Sequence, residues 1–394
     1  MKELLGLTLA ELQAVACEAG LPRFVGKQLC EWLYKHRVTS FDLMTNISQK
    51  ARERLKENYC IGRTEPAAEA VSVDGTRKYL FPVTISSQQS AISSQRSAVS
   101  GQQSAVSSQR SAVSGQQSAI SSQQFIECVY LPEDDRTTLC VSTQAGCKMG
   151  CKFCMTGTLG FHGNLSAADI LAQVLYFPDL TNLVLMGEGE PMDNIDNVLR
   201  ALNVLTAEWG LGWSGKRITV STVGVLQKQS AISNQQSAVS QQPTALQRFL
   251  NETDCHLAVS LHNPYPDERA AIMPAERLTP IHDVIDLLRQ YDWTHQRRLS
   301  FEYICWSGVN DDIRHAKQLL RLTQGLPCRV NLIRYHSDKT DEKPLFPGSE
   351  EERMIIFRDY LSAHGVTCTI RRSRGEDILA ACGMLVNALS THHS

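Results

Sequence analysis

The 394-residue sequence lacks long apolar runs, a large excess of charge of either sign and an even number of cysteines. No stretch approaches the roughly 18 uninterrupted apolar residues of a membrane helix, and residues 1–5 (MKELL) lack the features of a signal peptide. The 39 Lys and Arg nearly balance 41 Asp and Glu, which argues against binding nucleic acid through a large overall positive charge. The 13 scattered cysteines do not form a secreted disulfide framework. We therefore expect a cytoplasmic protein whose cysteines are mostly thiols.

The first of three predicted parts is an N-terminal helical domain at residues 1–62. Apolar residues recur there at helical spacing, as in Phe24, Leu29 and Leu33, and a Gly-Leu-Pro break at residues 20–22 separates two helices. Lysine and arginine are frequent in this part, which fits a solvated surface and an RNA-contacting face equally well.

The second part, residues 63–136, is predicted to be a small β extension with a long insert. Segments 76–84 and 125–131 are rich in aromatic and β-branched residues, as is typical of strands. Between them, a seven-residue unit such as SSQQSAI recurs five times within residues 86–124. A coiled-coil seam needs two large apolar residues per unit, whereas each unit here offers one beside an alanine. We expect a disordered segment, with a helical arm as the alternative.

The third part, residues 137–394, alternates predicted strands and helices. A low-complexity loop at 229–242 repeats the text of the earlier insert, which suggests inserted sequence and not core. Repeated βα units predict an α/β fold with a parallel sheet, closed or partly closed as a barrel, whose chemistry lies at the C-terminal strand ends. The candidate strands are 137–142, 182–186, 217–221, 256–260, 299–304, 329–333 and 366–371.

A C-x3-C-x2-C motif directly after the first of these strands carries the chemistry. Cys147, Cys151 and Cys154 stand on one short, glycine-rich loop, where three thiolates can converge on iron–sulfur or zinc. A structural zinc site needs a fourth protein ligand, for which His162 is the only close candidate. Three cysteines leave one iron of a cubane open to a small molecule, so we predict a 4Fe-4S cluster.

This loop resembles the cluster-binding loop of the radical S-adenosylmethionine (SAM) superfamily, in which the open iron binds the cofactor. The segment MGEGEP at 186–191 resembles the superfamily's glycine-rich cofactor motif. Glycine lets the backbone approach a ligand closely, and Gly189 and Glu190 are the predicted cofactor contacts. The resemblance implies a partial (βα)6-type radical SAM barrel, preceded by the helical domain and the β extension.

The chain is similar to the RlmN family over nearly its whole length, apart from the two Ser/Gln inserts. The resemblance implies a radical SAM methyltransferase that modifies carbon 2 of adenine in 23S rRNA and tRNA, with residues 1–62 recognising RNA. It also implies two SAM molecules per turnover, an external flavodoxin-like electron donor and a monomer. The segments that carry it are 127–161, 186–194, 218–224, 258–262, 329–333 and 371–383.

Three catalytic roles follow from the same resemblance. Cys382 receives the methyl group, Cys140 attacks the Cys382 sulfur to form a transient disulfide, and Glu127 is the proton acceptor. If the family resemblance is set aside, the local sequence favours other roles for these residues. Cys140 is then a residue of the apolar core, Cys382 belongs to small-residue packing and Glu127 faces solvent from a strand.

Further cofactor contacts are implied near the strand ends at Ser221, Ser260, Leu261, His262 and His336. The family often has asparagine shortly after the NLI segment, whereas His336 stands here, and a histidine cannot copy both amide functions. Near Cys382, the predicted RNA-phosphate contacts are Arg371, Arg372 and Arg374, with charge balance by nearby acidic residues as the alternative.

The sequence leaves other functions open. Methylation at carbon 8 of adenine uses the same cluster and cysteine positions. A non-catalytic iron–sulfur protein that binds RNA or senses redox state would need the cluster but leaves Cys140 and Cys382 unexplained. The insert at 229–242 lies close after a barrel strand, yet surface loops tolerate insertions, so we expect activity to survive it.

Overall fold

The structure, a computed structural model, describes residues 1–85, 122–226, 243–293, 297–335, 346–381 and 383–385. Cys382 and His336 lie outside these residues, as do the predicted disordered insert up to residue 121 and the loop at 229–242.

The N-terminal part is helical, as the apolar spacing predicts. Its helices are α1 (Leu9–Glu18), α2 (Val25–Cys30) and α3 (Gln49–Asn58), and two short strands, β1 (Lys2–Glu3) and β2 (Tyr59–Cys60), pair in parallel. Thr8 caps α1 in a reciprocal capping box with Glu11. The Glu11 carboxylate also accepts two 2.7 Å hydrogen bonds from Arg200, which attaches this unit to the barrel.

The β extension is an antiparallel sheet of β3 (Ala68–Val71), β4 (Arg77–Ile85) and β5 (Ser122–Pro132). Strand β5 begins three residues inside the range in which the sequence predicts disorder. Residues 122–124 pair with residues 83–85 of β4, and this ladder extends the strand into the polar repeat. Tertiary pairing therefore overrides the low strand propensity of Ser and Gln.

The barrel continues the same sheet, because β5 pairs antiparallel with β6. The remaining strands are β6 (Thr137–Cys140), β7 (Gln144–Gly146), β8 (Phe161–Asn164), β9 (Asn182–Leu185), β10 (Ile218–Thr222), β11 (His256–Ser260), β12 (Leu299–Cys305), β13 (Cys328–Arg334) and β14 (Thr367–Arg371). Within the described ranges the sheet order is β14-β13-β12-β11-β10-β9-β6-β5-β4-β3, and every pairing from β6 to β14 is parallel. Strands β7 and β8 form a separate hairpin.

Helices fill the crossovers as predicted, which gives six βα units followed by a seventh parallel strand in the part of the chain that the structure describes. They are α4 (Met155–Thr158), α5 (Ala167–Tyr176), α6 (Ile195–Thr206), α7 (Ala245–Glu252), α8 (Pro266–Ile272), α9 (Ile281–Leu288), α10 (Ile313–Leu322) and α11 (Glu351–Ala363). Ser166 caps α5 in a reciprocal capping box with Asp169. None of these described helices is long and apolar enough to cross a membrane.

The two faces of the barrel sheet differ in polarity, because side chains alternate along each strand. Leu139, Leu183 and Val220 are fully buried in the core shared with the helices. Their sequence neighbours Cys140 and Ser221 point to the opposite, inner face and are only half-buried. The barrel therefore presents a polar, partly open interior.

Candidate active site

The loop with the three cysteines is shaped by glycines and backbone hydrogen bonds. Gly146, at the end of β7, has φ +70°, and a Cβ there would lie 1.9 Å from the carbonyl oxygen of Gly160. The same carbonyl accepts a 2.9 Å hydrogen bond from the Cys147 N–H, and the Cys151 carbonyl accepts one of 3.1 Å from the Cys154 N–H. These contacts hold the loop with the three cysteines in a compact, turning conformation.

The environment of the three thiols raises their pKa values. Burial raises the pKa of Cys151 to about 12 and also raises the pKa of Cys147 and Cys154, and neighbouring thiols add to the shift of Cys147 and Cys151. Such thiols need a cationic centre nearby to bind as thiolates.

This donor set fits an iron–sulfur cubane better than a single zinc ion. The loop supplies three thiols, which leave one iron of a cubane open, whereas a structural zinc site needs a fourth protein ligand. His162, the only candidate for a fourth zinc ligand, is exposed on β8.

The segment after β9 brings Gly189 and Glu190 beside this loop. Gly189 has φ +98°, and a Cβ there would lie 2.5 Å from the Gln144 Cβ, so the close approach requires glycine. The Glu190 carboxylate accepts hydrogen bonds from Thr222 Oγ1 (2.6 Å) and from the N–H groups of Met192 (3.0 Å) and Val223 (2.9 Å). Burial raises the pKa of Glu190 to about 7. Glu190 therefore ties the glycine-rich turn to the end of β10.

Glu127 is fully buried, which rules out the solvent-facing alternative for this residue. Its carboxylate Oε1 lies 3.1 Å from Lys78 Nζ, and the Lys78 side chain is itself 2% exposed. The Glu127 peptide is held on both sides, since its N–H donates to Glu188 Oε1 (2.9 Å) and its carbonyl accepts from Ser142 Oγ (2.6 Å). The sequence interpretation missed Lys78 and Glu188, although an acidic residue between two glycines in MGEGEP was a visible signal.

The described chain on either side of position 382 runs along the inner face toward the cysteine loop. Ala380 and Leu385 are in one apolar cluster with Val129, against which Cys140 packs. The Gly383 carbonyl accepts a 2.8 Å hydrogen bond from the N–H of Met155, the residue after Cys154. The described residues on both sides of position 382 thus lie between Cys140 and the cysteine loop. Cys140 is on the inner face of the sheet and not in the main core.

Five residues hold the base of this segment, and we call them the C-terminal clip: Ser72, Asp74, Arg374, Gly375 and Asp377. Asp74 Oδ2 accepts from the Gly375 N–H (3.0 Å), and Arg374 donates to the carbonyls of Asp74 (2.8 Å) and Pro132 (2.6 Å). Asp377 accepts from Ser72 Oγ (2.5 Å). The guanidinium of Arg374 is therefore used within the protein, whereas Arg371 and Arg372 are exposed.

The remaining predicted cofactor contacts lie at the ends of β10 and β11. Ser221 and Ser260 are half-buried, and Leu261 is fully buried. His262 has φ +54°, accepts a 3.1 Å hydrogen bond at Nδ1 from the Ile304 N–H, and has its ring centroid 4.9 Å from that of Phe153. Burial lowers the pKa of His262 to about 3, so a neutral imidazole packs against the cysteine loop.

Two family models match the chain. The Ribosomal RNA large subunit methyltransferase N-terminal domain matches residues 2–61, and the Radical SAM superfamily matches residues 141–320.

Named relatives and a solved structure extend the similarity over nearly the whole chain. A probable dual-specificity RNA methyltransferase RlmN of Bacteroides fragilis is 48% identical over 98% of this chain and 96% of its own length. A dual-specificity RNA methyltransferase RlmN of Oleidesulfovibrio alaskensis is 36% identical over 98% and 96%. A radical SAM methyltransferase from Sphaerobacter thermophilus superimposes with a TM-score of 0.76 and 33% identity over 98% of this chain and 99% of that one. With this agreement in sequence and fold, the chain belongs to the RlmN family of radical SAM methyltransferases.

Proposed function

We propose that this radical SAM RNA methyltransferase methylates carbon 2 of adenine in 23S rRNA and in tRNA, through a methyl group carried on Cys382. Carbon 2 lies between two ring nitrogens and is electron-poor, so it cannot attack a methyl donor as an ordinary nucleophile. When bound, the cluster and SAM supply the methyl group and the radical chemistry that this carbon requires. Two SAM molecules are used per turnover, one for each of these tasks.

The placement of the C-terminal segment is the observation that carries this proposal. Ala380 and Leu385 pack in one cluster with Val129, beside Cys140, and Gly383 is hydrogen-bonded to the residue that follows Cys154. A methyl carrier has to reach the cofactor, the RNA base and a resolving thiol in turn. The described residues on both sides of position 382 lie between Cys140 and the loop with the three cysteines, which supports that role for Cys382.

Each residue type suits the task proposed for it. The cysteines of the C-x3-C-x2-C loop hold the cluster, and the strand-end residues around it contact SAM; those proposed are Gly189, Glu190, Ser221, Ser260, Leu261, His262 and His336. The Cys382 sulfur carries the methyl group. Glu127 accepts the proton that leaves carbon 2. The Cys140 sulfur then attacks the Cys382 sulfur, so that an S–S bond forms as the bond from Cys382 to the methylene carbon breaks. That carbon keeps the electron pair and takes up a proton to become the methyl group, and an external thiol reduces the disulfide before the next turnover.

The partners follow from this chemistry. The RNA substrates place the protein in the cytoplasm, an external flavodoxin-like donor supplies electrons, and the enzyme acts as a monomer with residues 1–62 contributing to RNA recognition. The target base has to leave its stack to reach the polar interior of the barrel.

Mass spectrometry of the Cys382 peptide tests the proposal, with protein from iron-replete cells compared with a Cys147→Ala variant. We expect a methyl group on wild-type Cys382, its loss or change in the variant, and 2-methyladenine in RNA modified by the wild type. Methyladenine substituted at carbon 8 would refute the assigned position. An unmodified Cys382 in cluster-replete protein would favour a non-catalytic iron–sulfur protein.

A further inference from the structure

A lysine is buried in the interior of the β extension, beside the proposed proton acceptor. Lys78 is 1% exposed as a residue, and its Nζ lies 3.1 Å from Oε1 of the fully buried Glu127. A lysine is almost never fully buried unless its charge is paired, so the pair has to form as the protein folds.

Strand register brings the two side chains together. Lys78 on β4 is opposite Val129 on β5, and Glu127 is two residues from Val129 on the same face. Val129 is in turn opposite Cys140 on β6. Lys78, Glu127 and Cys140 therefore share the face of the sheet that the C-terminal segment covers.

The Glu127 backbone is fixed independently of Lys78. Glu188 accepts hydrogen bonds from the N–H groups of Glu127 (2.9 Å) and Gly146 (3.1 Å), which links β5 to the residue before Cys147. Ser142 Oγ donates to the Glu127 carbonyl and accepts from the Glu188 N–H (2.8 Å). With the backbone held in this way, the position and charge of the Glu127 carboxylate depend on its side-chain partners.

We propose that Lys78 is a positioning residue for methyl transfer, which holds the Glu127 carboxylate in place and in its ionised form. This inference rests on the role of Glu127 in the proposed function. A carboxyl group can accept a proton only when it is ionised, and a buried ammonium group at hydrogen-bonding distance favours that form.

The other titratable groups near Glu127 do not replace this cation. Among the described residues they include the thiols of Cys128 and Cys140 and the Glu188 carboxyl, whose own pKa burial raises to about 7 and which Lys78 also faces.

A double-mutant cycle tests the inference with Lys78→Met, Glu127→Gln and the combined variant, each normalised to its content of methylated Cys382. Cys382 methylation precedes proton removal, so we expect it to stay near wild type in all three. The methyl-transfer rate to RNA should fall at least tenfold in Lys78→Met at neutral pH and recover as the pH is raised. The combined variant should be no slower than Glu127→Gln, because Lys78 acts only through Glu127.

Lys78→Arg is the conservative control, since it keeps the buried charge and so protects the fold. Its transfer rate should lie between those of wild type and Lys78→Met. Wild-type transfer per methylated Cys382 in Lys78→Met, or additive losses in the combined variant, would overturn the inference. A wild-type enzyme that forms no methylated Cys382 would refute the proposed function itself, before any variant is compared.

Discussion

Replacing Asp74 by alanine is expected to open the C-terminal clip and detach the segment that carries Cys382. The substitution removes two hydrogen bonds to a carboxylate, from the N–H groups of Thr76 (2.9 Å) and Gly375 (3.0 Å). It also removes a 3.7 Å ion pair with Arg374. A hydrogen bond to a charged group contributes about 1.5–3 kcal/mol, and the exposure of this turn favours the low end.

Together the two bonds contribute about 2–3 kcal/mol to keeping the clip closed, so its open population should rise about 30- to 160-fold. Hydrogen exchange measured by mass spectrometry should show this increase at the amides of residues 374–381. One of them, the Ala380 N–H, donates a 2.8 Å hydrogen bond to the Gly375 carbonyl. Methylation of Cys382 should fall in parallel, because the described residues that precede it are no longer held beside the barrel.

Asp135→Ala is the matched control, since Asp135 is an exposed acidic residue in the neighbouring β5–β6 turn. It should leave hydrogen exchange of residues 374–381 unchanged. Wild-type exchange of these amides in Asp74→Ala would refute the clip as the anchor of the C-terminal segment. An equal rise in both variants would attribute the effect to net charge and not to the Asp74 contacts.

Three further outcomes are expected. Burial acts to raise the pKa of Asp74, but hydrogen bonds from Thr76 and Gly375 hold that pKa well below its usual range. The clip should therefore be fully stable above the pKa of an aspartate in the unfolded chain, about 3.9, and should open as the pH falls below that value. Hydrogen exchange that does not change between pH 6 and pH 3, after correction for intrinsic rates, would contradict this. Gly146→Ala should lower the bound iron and the visible absorbance of the cluster severalfold, because the added Cβ would collide with the Gly160 carbonyl. Gly308→Ala has a similar φ of +71° but open space around its Cβ, so it should lower neither. Equal losses in the two variants would show that the backbone angle φ alone causes the effect. Deletion of residues 229–242 should leave the methyl-transfer rate within about twofold of wild type, because α7 carries its own capping box and the free energy of loop closure depends weakly on length. A change of the rate by more than twofold would show that the insert acts on the active site.

The local features of this protein were readable from its sequence. The spacing of Cys147, Cys151 and Cys154 defines a ligand loop whatever surrounds it, because three thiols within eight residues can meet at one centre. Alternating strand and helix patterns predicted repeated βα units with a parallel sheet. A helix start such as that at Ser166 is also a local feature, since a capping box involves residues only three positions apart. Resemblance to the RlmN family supplied the roles of residues that pattern alone did not distinguish.

The interactions across the barrel were decided only by the tertiary structure. Glu127 and Lys78 are far apart in the chain, and their contact depends on the register of β4 against β5, which a one-residue shift would destroy. Arg374 was predicted to contact RNA, yet the fold brings it to the turn at Asp74, where backbone carbonyls accept its hydrogen bonds. Cys140 fits an apolar core by composition, whereas the pairing of β6 in the sheet turns Leu139 into the core and Cys140 to the inner face. The sequence thus determined the elements and the ligand loop, which depend on near neighbours, while burial, pairing and the choice of face depend on how distant segments pack.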